Sequence, residues 1–247
     1  MTRLRAIACI GTLLLGGCSS TGVGNPSVGQ ISLSIVDDPT VDDETEDLPT
    51  AAIKDAVVVL GELRFLPCDA AQATHRVPGP FIVDLKGQTT TPEIPAIQAI
   101  AGGYCGLDAP LAPASNATLA GRSLFFDGMR ADGTFFIVYA NMSGTLRLRA
   151  TANQTWQGMD TPRTFFWALR PRRWLLESEL GGADTTPDPT HARAVVIDAN
   201  RHPALFLAIR SRLAGLRTLY ADADGNGVFT DSDRQAVVGE GLDDTAP

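Results

Sequence analysis

Between Gln30 and Val36 the chain alternates, with Ile31, Leu33 and Ile35 on one side and Ser32 and Ser34 on the other. A period of two marks a strand with one wet face. The run "AVVVLGELRF" (56–65) is the most apolar and β-branched stretch after the first twenty residues and predicts a central strand. Further strands are expected at 81–85, 102–111, 122–129, 133–140, 144–151, 164–170 and 193–199. In "TLRLRAT" Leu146 and Leu148 alternate with Arg147 and Arg149. The connections around Arg130–Asp132 and Asn141–Ser143 are of hairpin length. About nine short strands punctuated by Gly, Pro and Asp predict a mainly β fold, an antiparallel β-sandwich over 30–199.

The period then changes. Phe206, Ile209, Leu213, Leu216 and Tyr220 recur at spacings of 3, 4, 3 and 4, one face of a helix over "HPALFLAIRSRLAGLRTLY". Pro203 suits its first turn, and Asp198 or Asn200 is placed to cap it. That helix runs into "DADGNGVFTDSD" (222–233), and "DSDRQAVV" predicts a short exit helix ending near Gly239 and Gly241. The segment 200–247 therefore reads as a C-terminal helix–loop–helix.

The twelve-residue stretch resembles the EF-hand calcium loop. Asp222, Asp224 and Asn226 stand at positions 1, 3 and 5, Gly227 at 6, Val228 at 7, Thr230 at 9 and Asp233 at 12. Calcium takes six to eight oxygens, and alternate side chains of a tight loop converge on one point. Position 7 donates a backbone carbonyl, so Val228 is free to be apolar. Thr230 supplies a hydroxyl or a bound water, and Phe229 anchors the loop on the core. Asp at position 12 is one methylene shorter than the usual Glu and resembles the dockerin variant, whose second loop is missing here. The resemblance implies a weak, structural Ca2+ site with a dissociation constant on the order of 10⁻⁴ M or poorer. The bland alternative is an acidic surface turn.

The N-terminus is not fold. Residues 1–17 combine Arg3 and Arg5 with a short apolar run and small residues, the layout of a secretory signal. "LGGC", ending at Cys18, resembles the lipobox of bacterial lipoproteins, which implies acylation of Cys18 and anchoring in a membrane by lipid. Ser19 after the Cys implies, by the same resemblance, delivery to the outer membrane. Residues 18–29 are small and polar and read as a flexible tether.

Composition adds constraints. Of four Cys, Cys9 leaves with the signal and Cys18 takes lipid, so Cys68 and Cys105 remain as a pair in an oxidising compartment and are expected to be bridged. The mature chain carries 18 basic and 28 acidic residues, which argues against nucleic-acid binding. Seven of the eleven residues at 37–47 are acidic and read as a solvated loop. "RPRRW" (170–174) reads as solvated arginine, with pairing to that acidic loop as the alternative.

His75, His191 and His202 show no metal or catalytic spacing, and no GxSxG elbow occurs. Trp156, in "NQTWQGMD", is the one Trp in a polar context and the candidate for stacking on a ligand such as sugar. "VVVLGELRFLPCD", "GGYCGL" and "AGRSLFFDGMRADGTFF" are together similar to a group of secreted bacterial lipoproteins with a β-sandwich of unassigned function, over 56–140. The expectation is a non-enzymatic, lipid-anchored, calcium-binding envelope protein whose partner is a glycan or an envelope protein. A structural or adhesive subunit and an envelope-polymer hydrolase are the alternatives.

Overall fold

The computed structural model describes residues 29–39, 52–116, 119–152, 154–157, 163–215 and 217–242. The signal segment, Cys18, the tether up to residue 28 and the acidic loop beyond Pro39 lie outside the described residues. No described helix is long and apolar enough to cross a membrane.

The fold is mainly β and is built from two sheets. The larger sheet, A, has nine strands. They are β1 (Gln30–Asp37), β3 (Leu63–Pro67), β4 (His75–Val77), β7 (Ile97–Gln98), β8 (Tyr104–Pro110), β11 (Thr145–Ala150), β12 (Arg163–Leu169), β14 (Arg217–Ala221) and β15 (Val237–Gly241). Their order is β4-β3-β8-β11-β15-β14-β12-β1-β7. The six strands of sheet B are β2 (Ala52–Leu60), β5 (Phe81–Asp84), β6 (Thr89–Thr91), β9 (Leu124–Met129), β10 (Phe135–Ala140) and β13 (Ala194–Ile197), in the order β13-β10-β9-β2-β5-β6. Sheet A curls into a half-barrel rather than lying as a flat layer. One contiguous buried cluster joins the sheets, drawing Leu33, Phe65 and Trp167 from A and Val58, Phe126 and Phe136 from B. The alternation at 30–36 is realised: Ile31, Leu33 and Ile35 are buried and Ser32 and Ser34 half-buried.

Three expectations are corrected. The described residues form fifteen strands, nine in sheet A and six in sheet B, rather than about nine in all. The strands are not all antiparallel, since β1 runs parallel to β12 and β10 parallel to β13. The C-terminal segment is not a helix–loop–helix. The long helix, α2 (Pro203–Gly215), stops at Gly215, and Arg217–Ala221 becomes β14, paired antiparallel to β12 from Phe165↔Ala221 to Leu169↔Arg217. Tyr220 keeps helical spacing with Ile209 and Leu213, but a ready ladder on β12 and a glycine at the break favour strand. In place of the exit helix there is one 3₁₀ turn, Asp233–Gln235, followed by β15. β15 pairs with both β11 and β14, so Val237–Gly241 lies inside sheet A. A second, one-turn helix, α1 (Glu177–Leu180), packs near α2 through Glu179 and Arg212.

The disulfide is present. Cys68, just past β3, joins Cys105 on β8, with a Cα–Cα distance of 4.8 Å. β3 and β8 are neighbours in sheet A, so the bridge staples adjacent strands where their register shifts beyond Leu66.

Candidate metal centre

The Asp-rich loop joins β14 to β15 in the middle of sheet A. Its first residue is held by the ladder, with Asp222 N donating to Thr164 O at 3.0 Å and Ala221 N to Ala236 O at 2.9 Å. Gly225 and Gly227 both take left-handed backbone, at φ 71° and 73°, which only glycine adopts without steric cost. These two residues turn the chain back so that its amides point at its own carboxylates.

Each carboxylate is organised by backbone N–H groups. Asp222 accepts from Gly225 N (2.8 Å) on one oxygen and from Gly227 N (2.9 Å) on the other. Asp224 Oδ1 accepts from Asn226 N at 3.1 Å, and Asn226 Oδ1 from Val228 N at 2.6 Å. Asp233 is fully buried and accepts from Ala223 N (2.8 Å) and from both the amide (2.7 Å) and the hydroxyl (2.9 Å) of Thr230. Burial alone pushes the Asp233 carboxyl up, but the amides of Ala223 and Thr230 outweigh it and hold the group below the usual carboxylate range.

One oxygen from each of Asp222, Asp224 and Asp233 lies within 4.8 Å of the others. Oxygens bound to one calcium at about 2.4 Å are at most about 4.8 Å apart, so this spacing allows the three to share a cation without specifying which. Phe229 packs on Phe166 and Tyr220, each with ring centroids 5.4 Å away, and pins the loop to the outer face of sheet A. Val228 is left 61% exposed at the rim. Asn226 and Thr230 sit in the same loop, with the Thr230 hydroxyl turned toward Asp233 and Ser232.

Trp156 is not an exposed platform. It is 2% exposed, its indole N–H donates to Val238 O at 3.0 Å, and it bridges Tyr104. Its polar neighbours in sequence reflect the short loop it sits on; the ring itself closes the core beneath β15. Among the histidines, His191 lies against Phe135 with ring centroids 4.0 Å apart, and His75 near Phe65 at 6.4 Å.

Two features depart from the first sequence expectation. Arg170, read as solvated, donates to the fully buried Asp38 at 3.1 Å, so the pairing alternative holds for Arg170. The outer face of sheet B carries Phe125 and Tyr139 stacked at 5.8 Å, with the Arg122 guanidinium 3.8 Å over the Tyr139 ring. Beside them burial, reinforced by Asp55, raises the Asp127 carboxyl. Alternation in "LFFDGM" and "FFIVYA" places these side chains on one face, but it does not say which face packs on sheet A. Comparisons with family models, curated proteins and solved structures give no match for the chain.

Proposed function

We propose that the chain is a lipid-anchored, calcium-binding protein of the bacterial cell envelope, working as a non-enzymatic binding module. The observation that carries the reading is the convergence of Asp222, Asp224 and Asp233 oxygens within 4.8 Å inside a twelve-residue EF-hand-like spacing. The Cys68–Cys105 bridge supports an oxidising compartment, and the lipobox ending at Cys18 supports the anchor.

In this reading Asp222, Asp224 and Asp233 supply carboxylate oxygens, Asn226 its carboxamide oxygen, Val228 its carbonyl and Thr230 a hydroxyl or water. The flanking strands replace the usual helices. The ion neutralises three carboxylates and locks β14 to β15, the centre of sheet A. We read the body as a modified sandwich, one layer curled, that presents surface to a partner.

The test is a melting curve of the mature chain with and without calcium. At about 10 mM calcium, ~100-fold above a dissociation constant on the order of 10⁻⁴ M, linkage adds ~2.7 kcal/mol. For a chain of this length that is a rise of about 5–10 °C. Asp222→Ala should erase the rise. An unchanged melting temperature at that concentration would remove the site.

A further inference from the structure

Among the described residues, one flank of β1 is paired only over its first two residues. β12 covers the other flank throughout, in register from Ile31↔Arg163 to Asp37↔Leu169. β7 covers this flank only at Gln30 and Ile31. Asp38 N donates to Leu169 O at 2.8 Å, so the even-numbered residues of β1 direct their peptide groups at β12. The odd-numbered residues direct theirs the other way, as Gly29 does in accepting from Ala99 N at 2.8 Å. Leu33 and Ile35 continue this phase, and among the described residues neither has a backbone partner on that side. Their N–H and C=O groups form the repeat that a neighbouring strand would satisfy.

On the same flank lies a cleft of about 410 Å³. One wall is the run Ser32–Val36, the facing wall carries Gln88, Thr90 and Glu93, and the Asp-rich loop closes the rim with Val228 and Phe229. Thr90 belongs to β6, which among the described residues is the edge of sheet B and pairs only with β5. The cleft is therefore the seam between two sheet edges, started at its lower end by the two residues of β7.

We propose that this seam binds an extended peptide segment of another protein, by addition of a strand to β1 on the track that β7 begins. Such a strand would run antiparallel to β1, as β7 does, and bond to Leu33 and Ile35. Its inward side chains would meet the apolar edge of the core at Ile94. Ser32 and Ser34 are small and leave room on the outer face. Among the described residues Glu93 is the only charged side chain lining the cleft, and the chain carries a net charge of −8. The occupant is therefore a segment with apolar residues at alternate positions and a basic residue facing Glu93. The same net charge opposes pairing with a second copy. The inference stands apart from the cation reading, because β1 and β6 form the seam whatever the loop holds.

The probe is a degenerate pool of heptapeptides with alternating apolar residues and a central lysine, captured by the full mature chain in EDTA and again in calcium. Selected peptides should slow hydrogen exchange at Leu33 and Ile35, whose amides exchange faster than that of Ser34 in the free protein. N-methylation of alternate peptide residues should abolish binding in one phase and spare it in the other. Glu93→Lys should weaken binding about fivefold without moving the melting temperature. The proposal is overturned if no peptide is captured in either condition, or if both methylation phases bind alike. It is equally overturned if Leu33 and Ile35 are already protected in the free monomer, meaning that the chain covers its own edge. Protection that appears only with concentration-dependent self-association overturns it in favour of a second copy.

Discussion

Asp38, one residue past β1, and Arg234, on the 3₁₀ turn that closes the Asp-rich loop, form an ion pair of 3.1 Å around a carboxylate with no solvent exposure. The second oxygen of Asp38 takes Arg170 Nε, also at 3.1 Å. Arg234 lies 4.9 Å over the Phe229 ring and bonds to Asp231. One carboxylate thus ties together the ends of β1, β12 and the loop. Asp38→Ala removes the buried carboxylate that two largely buried guanidinia share, Arg234 keeping Asp231 and Arg170 the Tyr220 hydroxyl, and should cost about 3 kcal/mol in urea unfolding. Arg234→Met leaves Asp38 paired with Arg170 and should cost less. A loss below about 1 kcal/mol for Asp38→Ala would place the pair among ordinary surface bridges.

The disulfide constrains the unfolded chain more than the folded one, because β3 and β8 are already held by their ladder. Its two cysteines are 37 residues apart, and the enclosed loop contains β5 and β6, which belong to the other sheet. Loop-closure entropy for that length is about 4 kcal/mol. The double variant Cys68→Ser, Cys105→Ser should lose close to this amount while keeping its far-ultraviolet circular dichroism. Loss of the folded signal in the absence of denaturant would show that the bridge is required for folding itself.

β9 and β10 are legible in the sequence because alternation and a hairpin connection are local properties, whereas the equally short Asn141–Ser143 connection is no hairpin and carries the chain from β10 in sheet B to β11 in sheet A. The cysteine pair is legible because Cys68 and Cys105 are the two cysteines that lie beyond the first twenty residues. The acidic loop is legible because its spacing is itself the geometry: Gly225 and Gly227 place the turn, and Asp222 and Asp233 fall where the chain folds back. β14 is not legible, since "RTLYA" continues the period of α2 and becomes a strand only because β12 waits beside it. The burial of Trp156 depends on β15, which is far away in sequence. The parallel pairing of β1 with β12 and the anchoring of Arg170 on Asp38 are likewise long-range, and no local pattern encodes them.

Trp156 and Gly239 are packed so closely that a Cβ on Gly239 would lie 2.9 Å from the Trp156 ring and 3.1 Å from Arg149 O. Gly239→Ala should therefore destabilise the protein by about 1–3 kcal/mol through overpacking. Trp156→Ala should cost about 3–5 kcal/mol through the cavity and the lost bond to Val238. In the Trp156→Phe background, where the clashing edge is gone, Gly239→Ala should cost less than it does alone, a coupling that a double-mutant cycle measures. Strict additivity would mean that the backbone contact with Arg149, not the indole, sets the need for glycine.

Glu179 and Arg212 make the clearest acid-sensitive contact. Arg212 donates two bonds, Nη1 to Oε2 at 2.6 Å and Nη2 to Oε1 at 2.7 Å, and Leu176 N adds a third at 3.0 Å. The Arg212 bonds, foremost, hold the Glu179 carboxyl below its ordinary value against the upward push of burial. A folded-state value below the unfolded one means that the unfolded chain binds more protons across the interval between them. Stability from this pair is then complete above about pH 4.3, the unfolded value, and is lost as pH falls through the folded value. Glu179→Gln should cost about 2 kcal/mol at neutral pH. The gap from the parent protein should shrink in urea titrations stepped from pH 7 to pH 3, and Arg212→Met should converge in the same way. A gap that stays constant down to pH 3 would assign the contact between α1 and α2 to packing rather than to charge.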